Sequence, residues 1–144
     1  MARAEALARK QAAKDFAQRW RGRGYEKGDT APFWLELLRD VVGMEDVTTN
    51  VRFENQTVDR GFIDVTIRDA KTVIEQKSLG VDLDKPEMRQ GVLVTPFEQA
   101  KRYADSLRNS ERPDIIIVSD FNEFRIHDLD TETPQRVYRA IYSR

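Results

Sequence analysis

Hydrophobic and polar side chains alternate most regularly between residues 61 and 77. Two segments rich in β-branched residues flank a polar stretch, Arg68–Lys71, and this pattern predicts two strands joined by a tight turn. A two-residue loop at positions 69–70 fixes the register of the hairpin. In that register Asp64 lies opposite Glu75, so that two acidic side chains face each other across the strands.

The alternation also divides the hairpin into two faces, because successive side chains of a strand point to opposite sides of the sheet. One predicted face carries Phe62, Asp64, Thr66, Val73, Glu75 and Lys77. The other face, which we expect to point to the core, carries Ile63, Val65, Ile67 and Ile74. Opposed carboxylates repel each other, so we expect a divalent cation, together with Lys77, to offset the charge of the first face.

Two helices are predicted in the N-terminal third of the chain. Apolar side chains four residues apart predict a first helix over about residues 2–21: Ala8, Ala12, Phe16 and Trp20. A cap residue followed by proline, in Asp29–Pro32, predicts a second helix over about Pro32–Val42 that ends at Gly43. Glu36 lies at the border of the apolar face of this helix, from which it could reach a metal ion.

Strands surround one further helix in the predicted layout. Val47–Phe53 is predicted as a strand and Glu54–Arg60 as a polar loop before the hairpin. Thr95–Glu98 has the threonine cap, the proline and the third-position glutamate of a helix start. The helix is expected to continue to about residue 108, whereas the preceding segment Gly91–Val94 stays without an assignment.

Gln99 and Tyr103 lie one turn apart on this helix and share a face. The continuous apolar run Ile115–Val118 predicts a strand buried on both faces, Phe121–His127 an outer strand, and Gln135–Tyr142 a last strand or short helix. A strand, a helix and a second strand in this order predict a parallel pair. The sequence thus predicts an α/β fold of the α+β kind, with a central mixed sheet flanked by helices.

Composition describes a charged globular chain. It has 144 residues, no cysteine and one histidine, and its 24 basic residues are nearly balanced by 25 acidic ones. The lack of cysteine excludes disulfides and thiolate metal sites, and one histidine excludes a histidine-rich metal centre. No apolar run approaches membrane-spanning length, so we expect a cytoplasmic protein without membrane contact. A net charge of −1 indicates that any nucleic acid is held by a local basic patch or by another domain.

Asp64, Glu75 and Lys77 together form the pattern D-x(10)-E-x-K. Metal-assisted hydrolysis of a phosphodiester requires hard oxygen ligands and a positive or proton-transferring group beside the attacking water. The two carboxylates and the backbone carbonyl of Gln76 are candidate Mg²⁺ ligands, and Lys77 is the candidate catalytic group. On these residues alone, a hairpin with a solvated charged face is the simpler interpretation.

The order of the elements around this pattern changes that interpretation. A helix with the spacing Gln99-x-x-x-Tyr103 follows the hairpin, and a buried strand follows the helix. This arrangement resembles the PD-(D/E)xK nuclease superfamily, whose core is a helix, a three-stranded meander with the catalytic residues, a helix and another strand. The residue before Asp64 is Ile63 rather than proline, a departure that one branch of the superfamily tolerates.

A narrower resemblance covers the chain from about residue 32 to residue 129. Six segments carry it: Pro32–Leu38, Arg60–Asp64, Glu75–Ser78, Gly80–Lys85, Gln99–Tyr103 and Val118–Arg125. They resemble the N-terminal endonuclease domain of MmeI-like enzymes, which are type IIL restriction-modification proteins. These are single chains with a nuclease, an adenine methyltransferase and a target-recognition domain. Glu36, in the first of the six segments, matches an acidic position of the early helix in type only.

The resemblance implies roles for individual residues. Asp64 and Glu75 would bind Mg²⁺, for which Mn²⁺ would substitute, and Lys77 would be catalytic. Gln99 and Tyr103 would support the site and help to position double-stranded DNA. Cleavage would leave 5′-phosphate and 3′-hydroxyl ends, and a double-strand break would need two copies of the domain or two nicks.

The resemblance also implies further domains. A Gly-rich cofactor loop and an Asn-Pro-Pro-aromatic tetrapeptide are absent from the 144 residues, so S-adenosylmethionine binding would belong to those domains. We expect residues 1–144 to form a single nuclease domain, with helices over 1–43 and the sheet with the metal site over 44–144, cut from a longer restriction-modification protein. The alternatives are a solo nuclease of repair, recombination or phage biology, and a catalytically silent module that keeps the nuclease fold.

Overall fold

A mixed β-sheet with helices on both faces forms the centre of the molecule. The computed structural model describes residues 2–56, 61–130 and 136–139. The strands in chain order are β1 (Val51–Gln56), β2 (Phe62–Ile67), β3 (Thr72–Gln76), β4 (Glu87–Arg89), β5 (Val92–Val94), β6 (Ile115–Ser119), β7 (Glu123–Asp128) and β8 (Arg136–Arg139). The helices are α1 (Ala2–Trp20), α2 (Glu26–Glu36), α3 (Val47–Asn50) and α4 (Pro96–Asp105), with a π-helical segment at Leu37–Val42 and a 3₁₀ turn at Asn109–Glu111.

The connectivity of the sheet confirms the predicted strand–helix–strand unit. Within the described residues the large sheet has six strands in the order β1-β2-β3-β6-β7-β8, and β4 and β5 pair separately. β3 and β6 are parallel and lie on either side of α4 in the chain, whereas the other neighbours in the large sheet are antiparallel. The hairpin register is as predicted where Val65 pairs with Ile74 and Ile67 pairs with Thr72. The fold class is therefore confirmed.

The C-terminal strands differ from the prediction in one respect. β7 is not an outer strand, because β8 forms a further antiparallel ladder with it. The segment predicted as a last strand or a short helix is thus a strand over Arg136–Arg139. The remaining positions of that segment, residues 135 and 140–142, lie outside the described part of the chain.

The second helix starts six residues earlier than predicted. It begins at Glu26 rather than Pro32, so Asp29 lies inside the helix and the N-cap residue is Tyr25. The Asp29 carboxylate accepts a hydrogen bond from the backbone N–H of Tyr25 (2.9 Å). The Glu26 N–H donates to Ser78 Oγ (2.9 Å), so a tertiary contact to the loop after β3 secures the helix start. Pro32 lies inside the helix, where its missing N–H costs one intrahelical hydrogen bond.

The segment after this helix departs from the predicted strand. The helical stretch ends as predicted at Gly43, whose φ of 79° favours glycine. Residues 47–50 then form a helical turn, because the Asp46 carbonyl accepts two backbone N–H groups of this turn. The strand predicted over residues 47–53 therefore begins later, and β1 extends into the predicted polar loop. The last four residues of that loop lie outside the described residues.

Both faces of the sheet are buried, although only one face of the hairpin was expected to point to the core. On one face, α1 and α2 pack aromatic side chains against the sheet, with Phe33 fully buried. On the other face, α4 packs on Val73 and Ile116. Ile63 lies in this second cluster rather than with Val65, although buried and less buried side chains alternate along the whole of β2.

α4 has the capping box that its sequence predicts. Thr95 Oγ1 accepts a hydrogen bond from the Glu98 N–H (3.2 Å), and Glu98 Oε1 accepts one from the Thr95 N–H (2.9 Å). α4 ends at Asp105, slightly earlier than the predicted end at about residue 108. Among the helices of the described residues, none is both long and apolar enough to cross a membrane.

Replacing Phe33 with alanine should lower the free energy of unfolding by about 3–5 kcal/mol, because removal of a buried ring leaves a cavity. The ring contacts those of Phe16, Trp20 and Phe121, with centroids 4.9–5.2 Å apart. Leu7→Ala is the control, since Leu7 is exposed on α1, and its effect should stay within about 0.5 kcal/mol. Urea denaturation followed by circular dichroism measures both, and equal effects would contradict a core centred on Phe33.

Candidate functional site

The hairpin brings Asp64, Glu75 and Lys77 together at the end of β3. Lys77 Nζ lies 3.3 Å from Glu75 Oε1. Asp64 Oδ2 accepts a hydrogen bond from the backbone N–H of Gln76 over 2.7 Å. The regular β2–β3 ladder ends at the pair of Val65 with Ile74 and does not reach Asp64. The Asp64 carboxylate therefore takes the place of a backbone partner for the Gln76 N–H. The two acids lie close enough for their charges to interact, although the predicted pair of Asp64 with Glu75 is not part of the β2–β3 ladder.

The three charged side chains are withdrawn from water. Glu75 and Lys77 are only 4% and 3% exposed, and Asp64 is half-buried. Burial raises the pKa of Asp64 to about 6, and the hydrogen bond from Gln76 acts against this rise. Burial, and then the neighbouring charge of Asp64, raises the pKa of Glu75 to about 8, while Lys77 acts to lower it. A solvated charged face, the simpler interpretation of the sequence, is therefore wrong for these residues.

α4 supplies the partners of Lys77. Lys77 Nζ donates to Gln99 Oε1 (3.4 Å), and Gln99 Nε2 donates to Tyr103 Oη (3.4 Å). Gln99 and Tyr103 thus share a face of the helix, as predicted. The Tyr103 ring lies against Gly61, where a Cβ atom would come within 2.3 Å of Tyr103 Cε1. Gly61 therefore allows the start of β2 to approach α4 closely.

The Gln76 side chain is fully buried and joins several elements. Gln76 Oε1 accepts a hydrogen bond from Trp34 Nε1 (2.8 Å) on α2. Gln76 Nε2 donates to the carbonyls of Lys77 (2.9 Å) and Ser119 (3.1 Å). The side chain is therefore a structural anchor, and only the backbone carbonyl of Gln76 is left as the candidate metal ligand that the sequence indicated.

Glu36, a further predicted ligand, is engaged with α1. Its two carboxylate oxygens accept hydrogen bonds from Arg19 Nε (2.5 Å) and Trp20 Nε1 (2.7 Å). It is also not among the charges that act on Asp64 and Glu75. The structure thus gives Glu36 the role of joining α1 to α2.

Glu26 is the acidic residue of α2 that acts on the site, and the sequence prediction missed it. Its negative charge contributes to the raised pKa values of both Asp64 and Glu75. It lies in the first turn of the helix, next to the contact with Ser78. The predicted start at Pro32 placed Glu26 in a loop, so only a correct helix start could have identified it.

Asp64 and Glu75 are suitable ligands for a hard divalent cation. They are two neighbouring carboxylates in a buried place. Among the contacts of the described residues, the cation Lys77 offsets their charge and the Gln76 N–H donates to Asp64. The described chain contains no group of three or more His, Cys, Asp or Glu side chains arranged to hold a metal ion. Mg²⁺ is commonly held by one or two carboxylates and several waters, so this donor set fits it. Metals that require histidine or cysteine ligands do not fit.

The chain matches a model of a known protein family. A family model described as "MmeI, N-terminal domain" matches residues 11–141, which is nearly the whole chain and includes every site residue named above. The curated proteins contain no match to the chain. The solved structures contain none either.

The metal-free protein should lose stability as the pH rises from about 4.5 to about 8. The pKa of Glu75 is raised from its ordinary 4.5 to about 8 in the folded protein, so in this range the folded state keeps a proton that the unfolded state releases. For one such proton the free energy of unfolding falls by up to about 1.4 kcal/mol per pH unit. Glu75→Gln removes this titration, so its thermal midpoint should depend less on pH.

Thermal denaturation at a series of pH values, with protein dialysed free of divalent cations, measures the thermal midpoint of the wild type and of Glu75→Gln as a function of pH. Glu45→Gln is the control, because Glu45 is exposed and lies outside the site, and it should keep the slope of the wild type. Parallel profiles for the wild type and Glu75→Gln would contradict the buried, proton-binding state of Glu75.

Proposed function

Because the chain belongs to the MmeI N-terminal domain family, which is related to restriction enzymes, we propose that it is a Mg²⁺-dependent endonuclease that hydrolyses phosphodiester bonds of double-stranded DNA. The observation that carries the proposal is the buried group of Asp64, Glu75 and Lys77, which β2, β3 and α4 hold together. The mixed sheet with a parallel β3–β6 pair supports a core of the PD-(D/E)xK nuclease type.

Asp64 and Glu75, with the backbone carbonyl of Gln76, would hold the metal ion. When bound, Mg²⁺ supplies a Lewis acid for a phosphoryl oxygen and lowers the pKa of a coordinated water. The raised pKa values of the two acids support this assignment, because a nearby cation would favour their ionised forms and offset their repulsion. Mn²⁺ also prefers oxygen ligands and should substitute for Mg²⁺.

Lys77 would supply the positive charge that the chain itself contributes to hydrolysis. Lys77 Nζ is fixed by Glu75 and Gln99, so its position requires little reorganisation during the reaction. There it offsets the negative charge that develops on the phosphate, and as a hydrogen-bond donor it orients the attacking water. Gln99 acts through Lys77 and Tyr103 acts through Gln99, so both are positioning residues.

The nearly neutral charge of the chain supports a division of labour within a longer restriction-modification protein. In this division the nuclease domain cuts the DNA and leaves 5′-phosphate and 3′-hydroxyl ends. A methyltransferase domain binds S-adenosylmethionine, and a target-recognition domain selects the sequence. A second copy of the nuclease domain provides the second cut of a double-strand break.

Cleavage of a supercoiled plasmid with Mg²⁺ or Mn²⁺, at high protein concentration and low salt, tests the proposed activity. The wild type should nick or linearise the plasmid. Asp64→Asn and Lys77→Met should each lower the rate by at least about 100-fold, because they remove a metal ligand and the catalytic charge. Lys85→Met, in an exposed loop, is the control and should cleave like the wild type. Equal rates for the wild type and both site variants would refute the assigned site.

Binding of the metal can be measured without cleavage. Mg²⁺ or Mn²⁺ should raise the thermal midpoint of the wild type, since a ligand of the folded state adds about 2.7 kcal/mol at 100 times its dissociation constant. Asp64→Asn should lose most of this shift, whereas Glu45→Gln should keep it. A shift without cleavage would favour a silent module or a requirement for further domains, and the lack of any shift would contradict the metal site.

A further inference from the structure

A cleft lies at the turn end of the β2–β3 hairpin, away from the carboxylates. Its volume is about 550 Å³, within the range of roughly 300–1,000 Å³ that small-molecule sites occupy. Asp64, Glu75 and Lys77 are not among the residues that line it. Arg68, in the turn, is four residues from Asp64 along an extended chain, which corresponds to about 13 Å. The cationic end of the cleft therefore lies apart from the proposed cleavage site, while Ile63, the chain neighbour of Asp64, lines its other end.

The lining of the cleft is strongly basic. Its charged residues are four cations and one acid: Arg52, Arg68, Lys71, Arg112 and Glu111. The chain as a whole has 24 basic residues against 25 acidic ones, so this excess is local. Within the described residues, Arg52, Arg68 and Lys71 form no ion pair. Like charges gathered in this way repel one another, and an anion between them removes the repulsion.

The cleft also has an apolar lining. Ile63, Ile67 and Val73 of the hairpin contribute to it, together with Leu107 and Pro113 from the connection between α4 and β6. The three hairpin residues and Pro113 are already buried, so the half-buried Leu107 offers the accessible part of this apolar lining. An inorganic anion would leave that part uncovered. A molecule that carries both a phosphate and a ring system, such as a nucleotide, would cover the apolar surface and bring its phosphate to the cations.

Hydrogen bonds hold the two walls of the cleft in place. The Lys71 carbonyl accepts the N–H of Asp114 (2.8 Å), which joins the hairpin turn to the α4–β6 connection. The Arg112 guanidinium donates to the carbonyls of Asp105 (3.1 Å) and Leu107 (3.3 Å). Arginine has five N–H donors, so Arg112 keeps others for a ligand. The backbone of both walls is therefore ordered before a ligand binds, and the ordering cost is confined to exposed side chains such as those of Arg68 and Lys71.

We propose that this cleft binds an organic phosphate of nucleotide size, with Arg68 and Lys71 of the hairpin turn contacting the phosphate group. The ligand is a free mononucleotide or the phosphorylated terminal nucleotide of a DNA strand, which present the same phosphate chemistry. The proposal does not rest on the cleavage activity, since none of the three residues assigned to cleavage lines the cleft.

Calorimetric titration with AMP, a short 5′-phosphorylated DNA oligonucleotide and inorganic phosphate tests the proposal at constant ionic strength. The protein is dialysed free of divalent cations without added chelator, because chelators are themselves polyanions. AMP or the oligonucleotide should bind saturably with a Kd below about 1 mM. The double variant Arg68→Gln/Lys71→Gln should weaken this binding by about tenfold or more, since it removes two charged donors. Inorganic phosphate should bind more weakly than the better organic ligand.

The control is Arg3→Gln/Lys10→Gln, which removes the same charges from the exposed surface of α1 and should bind like the wild type. Asp64→Asn should also keep full affinity, so a failure of the proposed nuclease activity leaves this result unaffected. Tighter binding of AMP than of the oligonucleotide identifies a free nucleotide as the ligand, and the reverse order identifies a DNA end. Absence of saturable binding, an equal loss in the control pair, or equal affinity for inorganic phosphate would overturn the proposal.

Discussion

The buried amide of Gln76 is the interaction on which the geometry of the site depends. It joins α2 through Trp34 and β6 through Ser119, while the backbone N–H of the same residue binds Asp64 on β2. A buried polar group that loses its partner costs about 1–3 kcal/mol, so these elements are stable only when they meet around this amide. Glu75 and Lys77 flank Gln76 in the chain and therefore point to the opposite face, toward α4. An uncharged network on one side of β3 thus sets the position of the charges on the other.

The end of β3 is an unfavourable place for charged groups. Every residue of the strand is buried, and a charge in such surroundings is costly unless it is paired. Lys77 offsets part of the charge of Glu75, yet the pKa of Glu75 is still raised to about 8, first because the carboxyl is buried and then because Asp64 approaches from β2. A purely structural ion pair would need only Glu75 and Lys77. Asp64 adds a second carboxylate, and the single positive charge of Lys77 does not neutralise two carboxylates. Charged groups left in this way inside a protein are typical of functional sites.

The sequence predicts those parts of the site that depend on near neighbours in the chain. The hairpin register follows from strand alternation and a short turn, and the Thr95–Glu98 capping box lies within four residues, so both could be predicted. The start of α2 could not, because the Glu26 N–H is bound by Ser78, which lies 52 residues further along the chain. The same error concealed the influence of Glu26 on the two site carboxylates.

The burial of the hairpin on both faces could not be predicted from the sequence pattern either. Alternation in β2 and β3 separates two faces but does not state what covers each of them. Val73 shares a face with Glu75, and the packing of α4 turns that face into a second core. The basic cleft is a related case, since Arg52 on β1 and Arg112 after α4 become neighbours only through the sheet and the crossover.

The two ends of the hairpin impose opposite electrostatic requirements on one supersecondary unit. Asp64 and Glu75 at the β3 end favour a cation, whereas Arg68 and Lys71 at the turn favour an anion. A formal charge of −1 averages these regions and conceals both. At physiological ionic strength the exposed charges of Arg68 and Lys71 are screened over about 8 Å, which is less than the approximate 13 Å between Asp64 and Arg68 along the strand. The net charge of the chain therefore describes neither end, and a ligand proposed for one end has to be judged by the charges of that end.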